Sequence, residues 1–132
     1  MDAVNIWAVL AAALSSFLLG GLWYSPMLFG NVWNRHAGRG PKEAGGRHPA
    51  IVFGTAFVLA LVAAAVFAMI LGHNPPLKEA VKLGVVTGAG FVATSFGINY
   101  AFASRTLVLW LIDAGYHVLQ FTLFGVILGL WH

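Results

Sequence analysis

Asp113 and His117 stand four residues apart inside residues 106–131, TLVLWLIDAGYHVLQFTLFGVILGLW, a stretch otherwise apolar and long enough to cross a bilayer. On a helix this spacing puts the carboxyl and the imidazole on one face, and Gln120 and Phe124 continue the stripe. An ionisable side chain in such a span is costly, so it counts by default as a functional-site candidate. The physics leaves the carboxyl two ways to exist there: it finds donors, or it takes up a proton and becomes neutral. Asp113 is therefore either ion-paired with a His117 imidazolium or, left with Asn99 and serine donors, a protonated acid at neutral pH.

Depth supplies candidate donors. With the third and fourth apolar stretches antiparallel and each centred on the membrane, Asn99 and Asp113 both fall roughly 8 to 9 Å from the middle at about 1.5 Å per residue, which predicts a direct hydrogen bond between them. Thr94 and Ser95 come near the level of His117, and Ser15 and Ser16 of the first stretch lie close to the same layer. Tyr100 and Tyr116 complete the polar set. Three readings follow: a structural network that fixes helix register, a layer that handles a small solute or proton, or a metal or haem site. The last is poorly supplied, because one intramembrane histidine with no second His or Glu at ligand spacing does not make a ligand set. His36, His48, His73 and His132 each stand alone in sequence. No cofactor is expected. The acids are Asp2, Glu43, Glu79 and Asp113, and no nucleophile elbow, phosphate loop or catalytic carboxylate pair is present. Enzymatic chemistry would have to come from Asp113, His117 and Tyr116 alone, so the chain is read as a non-enzyme.

The elements that must position these groups are apolar helices. The chain has 132 residues, 60% of them hydrophobic and 8% charged, against about 25% charged in a soluble domain. This predicts an all-α membrane protein, one domain of four transmembrane helices in a compact antiparallel bundle, with spans near 3–24, 50–72, 83–102 and 106–131. Cysteine is absent, which removes disulfides, thiolate nucleophiles and cysteine metal sites. The amino-terminal stretch lacks the basic start of a signal peptide and reads as a retained first span. In that span Ala8, Ala12, Ser16 and Gly20 recur every fourth residue, a small face that admits a neighbouring backbone. The second span is free of charge and repeats Ala56, Ala60, Ala64, Ala68 and Gly72. Gly84 and Gly88 form a GxxxG, as do Gly125 and Gly129; with Gly97 they are expected at helix contacts, within the chain or between subunits of a homo-oligomer.

Between the first two spans, Trp23 and Tyr24 mark a membrane interface and Pro26 stops the helix. The following MLFGNVWNR, with Gly30 and Trp33, is too short to cross and is expected at the headgroup level. The loop over 35–49 is rich in glycine and proline and carries Arg35, Arg39, Lys42 and Arg47. Lys78 and Lys82 follow the second span, and Arg105 follows the third. The excess on the odd connections predicts that the first and third loops face the cytoplasm, with both termini on the opposite side of the inner (plasma) membrane. So few charges give no sign of nucleic-acid binding. The expected surroundings are the lipid bilayer and either a second copy of the chain or a larger membrane complex in which it would be an accessory subunit. A basic loop beside an interfacial segment also suits lipid headgroups.

Two stretches, GGLWYSPMLFGNVW at 20–33 and FVATSFGINYAFASRTLVLWLIDAGYHVLQ at 91–120, together resemble family 1761 of the bacterial domains of unknown function. Its members are small four-span membrane proteins with a similar WYSP-LFG stretch and a similar NY-LIDAGY stretch. The resemblance covers nearly the whole chain and implies the membrane fold without an activity. It marks Trp23, Tyr24, Pro26, Gly30, Asn99, Tyr100, Asp113, Gly115 and Tyr116 as the family-like positions. His117 is not among them, which favours a mechanism centred on Asp113 and Asn99 over one that needs an Asp–His pair.

Overall fold

The computed structural model describes residues 4–37 and 49–131. The basic-loop residues Arg39, Lys42 and Arg47, together with His48, His132 and Asp2, lie outside this range. The described chain is all-α: α1 (Ile6–Trp23), α2 (Gly30–Ala37), α3 (Pro49–Leu71), α4 (Leu77–Val85), a π-helical segment (Val86–Val92), α5 (Ala93–Phe102) and α6 (Leu107–Leu130). The segments from α4 to α5 run on as one helix. Four helices, Ile6–Trp23, Ala50–Leu71, Leu77–Phe102 and Leu107–Leu130, are long and apolar enough to cross a membrane, and they mark the chain as a multi-pass membrane protein. Their outward faces carry Leu14, Leu18, Phe53, Ile70, Phe91 and Ile98, all exposed, as expected where the solvent is lipid.

Helix α6 is the centre of the bundle and touches every other helix. Its start is set by Thr106, whose Oγ1 accepts the Leu109 N–H at 3.1 Å, an N-cap that satisfies an otherwise orphan donor. Asn5 does the same for α1, accepting from Trp7 and Ala8 at 3.1 and 3.3 Å. On the α1 face toward α3 and α6, Ala8, Ala12 and Ser16 are completely buried. Across from them lie Ala60, Ala64 and Ala68 of α3, whereas Ala56 and Gly72 of the same repeat are exposed. Phe67 and Phe124 fill the space the alanines leave. Small side chains bring the helices close enough for dispersion to hold them in a medium that gives no hydrophobic drive between helices.

Both glycine pairs are used inside the chain. A Cβ on Gly84 would sit 2.2 Å from the Phe121 carbonyl oxygen, and one on Gly88 would sit 2.8 Å from the Val118 Cα. Gly125 and Gly129 face Ala80, at 2.4 Å from its carbonyl oxygen and 2.9 Å from its Cβ. The two pairs thereby fix the register of α4 and the π segment against α6. This contact also corrects the expected start of the third span at 83. The helix begins at Leu77, because Lys78, Glu79 and Lys82 lie on its outer side while Ala80 and Gly84 are buried; charges that snorkel from the end of a helix shorten the apolar run without shortening the helix.

Candidate functional site

The site is assembled where α1 ends. Tyr24 closes α1, its N–H bonded to the Gly20 carbonyl at 3.0 Å, and Ser25 and Pro26 open a tight reversal. In that reversal the Phe29 N–H reaches the Trp23 carbonyl at 3.0 Å and the Gly30 N–H reaches that of Ser25 at 2.9 Å. A Cβ on Gly30 would lie 2.3 Å from the Tyr24 carbonyl oxygen, so only glycine lets the chain fold back so closely. Gly30 is therefore the buried first residue of α2. The reversal turns Trp33 inward onto α6.

Asp113, 6% exposed, receives three hydrogen bonds. Its Oδ1 accepts from the Tyr24 hydroxyl and from the Trp33 Nε1–H at 2.9 Å; its Oδ2 accepts from the Tyr100 hydroxyl. The donors come from the end of α1, from α2 and from α5, and all three are neutral. Tyr24 lies just beyond the first span, and its phenol is held well above the ordinary range, first by burial and then by the Asp113 carboxylate it donates to. A carboxylate is acceptor-only when ionised, with about four lone-pair sites, and three are occupied here by donors. Around this knot, the Trp23 Nε1–H donates to the Ile112 carbonyl at 2.9 Å while its ring lies against Gly115, 3.1 Å from where a Cβ would stand. The Tyr116 hydroxyl donates to the Ser16 carbonyl at 3.0 Å. At the far end of α2, His36 Nδ1 and Thr106 Oγ1 are 3.0 Å apart, which ties α2 to the start of α6.

The expected polar layer divides. Asn99 is exposed, and the expected Asn99–Asp113 bond gives way to one from its neighbour Tyr100: a matched depth says nothing about facing, and Asn99 lies on the outer side of the helix. Ser95 is likewise exposed, and Thr94, also exposed, donates back to the Gly90 and Phe91 carbonyls at 2.9 Å. The Asp113–His117 ion pair, one of the two states open to the carboxyl, gives way as well. His117 stacks on Phe96 with ring centroids 4.8 Å apart, and its Nδ1 is 2.7 Å from the Gln120 Oε1. Gln120 in turn donates weakly to Ser16 Oγ at 3.5 Å. Gly97 makes room for Trp110, whose Nε1–H donates to the Ala93 carbonyl at 2.9 Å, just past the π-helical turn. No group of three or more His, Cys, Asp or Glu able to hold a metal exists among the described residues.

The sequence places Trp33 and Tyr24 as interfacial aromatics and does not by itself reveal them as donors to Asp113. The available signal was chemical. An indole N–H and a phenol close to a span end need partners when buried, and the one intramembrane acid needs donors.

Beside the knot lies a groove of about 820 Å³. Its floor includes Asp113, Tyr24, Trp33 and Tyr116; its walls are Phe17, Gly20 and Gly21 of α1 and Val52, Phe53, Ala56 and Ala60 of α3. Among the described residues that line it, the hydrogen-bonding side chains apart from Asn34 are those of the floor. Gly21 has nothing within 4 Å of where a Cβ would stand, so this edge of the groove is open.

No curated protein and no solved structure matches the chain. Residues 7–129 match the family described as protein of unknown function (DUF1761), and the two stretches that carry the likeness, 20–33 and 91–120, are those the fold brings together around Asp113. The chain belongs to the DUF1761 family of proteins.

Proposed function

We propose that this multi-pass membrane protein binds a small amphipathic solute in the groove between α1, α2 and α3, with the solute's polar end at Asp113. The observation that carries this reading is the composition of the groove: an apolar wall with its polar groups gathered at one place, the arrangement typical of small-molecule sites. Its volume, about 820 Å³, falls within the range of roughly 300 to 1,000 Å³ for such sites. Binding fits better than a polar pathway through the bundle. Ser95 and Asn99 face outward, and His117 is bonded to Gln120 and covered by Phe96, so the polar side chains do not line up as a conduit.

The test fills the groove without touching the packing. Gly21→Trp projects an indole into open space, and the variant is expected to fold and purify like the wild type. Small molecules retained through purification from native membranes would be extracted from both proteins and identified by mass spectrometry. A small amphiphile present with the wild type and lost from Gly21→Trp is the expected result. Matching extracts from two equally stable proteins would end this reading.

A further inference from the structure

Asp113 is an acid in a membrane-spanning helix, and among the described residues its hydrogen-bond partners are two phenols and an indole, none of them a cation. A buried carboxylate so held has its hydrogen bonds from neutral groups, and a positive charge brought beside it is attracted more strongly than it would be in water. The same side chain lines the groove. Three aromatic rings share that end of it. Tyr24 stands edge-on to Trp33, with centroids 6.0 Å apart and planes at 85°, and lies 5.7 Å from Tyr116 at 59°. Rings inclined to one another present faces and edges from several directions to whatever sits between them, and their faces attract cations.

We infer that the groove selects an organic cation: a single-chain solute with an ammonium head, primary or quaternary, carried on an apolar body. The inference rests on the groove being a binding site and adds the charge of its ligand. The ammonium end lies against the Asp113 carboxylate and the Tyr24, Trp33 and Tyr116 rings; the apolar body lies along Phe17, Val52 and Phe53. An anion is rejected by the carboxylate. A polyhydroxylated solute is disfavoured by the described α1 and α3 walls, where Phe17, Val52, Phe53, Ala56 and Ala60 offer its hydroxyls no side-chain partners, since burying an unpaired hydroxyl is costly. The groove's volume suits a drug-sized molecule, and this commits the inference to a free solute rather than a two-chain lipid with an amine headgroup.

The test compares radiolabelled decyltrimethylammonium, decyl alcohol and decanoate, each binding to the protein in maltoside micelles, whose headgroups carry no charge. Micelles holding Gly21→Trp give the blank for partition. The expected order is decyltrimethylammonium first, by roughly tenfold or more over the alcohol, with decanoate weakest. Asp113→Asn is expected to erase the preference for the cation while keeping alcohol binding; should that variant not fold, the order of the three probes on the wild type decides. Equal binding of the three, still blocked by Gly21→Trp, would overturn the cation and leave the groove as a site. Equal signal from wild type and Gly21→Trp for every probe would overturn the groove itself. In a last arm, phosphatidylethanolamine is added to the micelles. Unchanged binding of decyltrimethylammonium is expected, and its displacement would show that the amine belongs to a lipid and overturn the free solute.

Discussion

A carboxyl within a membrane span needs donors, and Asp113 takes them from the Tyr24 and Tyr100 hydroxyls and the Trp33 indole N–H, each of which gains an acceptor in return. This reciprocity explains why aromatics, rather than Asn99, surround it: a phenol brings a donor on an apolar ring that packs against helices as well as it bonds. The consequence is measurable one position apart. Tyr100→Phe removes a hydrogen bond to a carboxylate and is expected to cost about 1.5 to 3 kcal/mol. Asn99→Leu, on the exposed side of the same helix, should stay within about 0.5 kcal/mol of the wild type. Unfolding of each variant in mixed micelles gives the comparison. A larger cost for Asn99→Leu than for Tyr100→Phe would restore the pairing that depth alone suggests. Asp113 as the polar centre was legible from its type and position. Its partners were not, because depth along a helix axis is readable from sequence and azimuth around it is not once a helix carries polar residues on several sides.

The helices themselves were legible, since length and hydropathy decide a membrane span almost alone. The glycine pairs were legible as contacts, though not as contacts between α4 and α6. The fold-back of α2 was hidden. Glycine after a proline turn reads as a breaker, and the space Gly30 saves against Tyr24 and Ser25 exists only once the chain has reversed. Gly30 and Gly21 therefore make a contrasting pair. Gly30→Ala would place a methyl 2.3 Å from a backbone oxygen, a clash that needs main-chain movement; a loss of about 2 kcal/mol or more is expected, toward the upper end of overpacking costs. Gly21→Ala meets open space and should match or slightly exceed wild-type stability, because alanine is the better helix former. Thermal melts in detergent would separate the two. Equal melting temperatures for Gly30→Ala and the wild type would mean that the reversal is not packed as described.

At the scale of the whole molecule, the chain joins its two ends of sequence at one place. Tyr24 and Asp113 are 89 residues apart, and Trp33 and Asp113 are 80 apart; no local pattern encodes such a meeting. The paired glycines hold α4 against α6, the alanine stripes hold α1 against α3, and the reversal after α1 then closes over Asp113 to leave the groove beside it. Everything proposed for function depends on that closure. The chain lends itself to a direct test, because its aspartates are Asp2 and Asp113 and its tryptophans number five. With aspartate labelled by ¹³C and tryptophan indole nitrogen by ¹⁵N, solid-state NMR of the protein in bilayers can measure the separation of the Asp113 carboxyl carbon and the nearest indole nitrogen. A hydrogen bond of 2.9 Å from Trp33 predicts a carbon–nitrogen distance of roughly 4 Å, observed in the wild type and lost in Trp33→Phe. An Asp113 signal with no indole nitrogen in range, or a coupling that survives Trp33→Phe, would contradict the closure of α2 over Asp113.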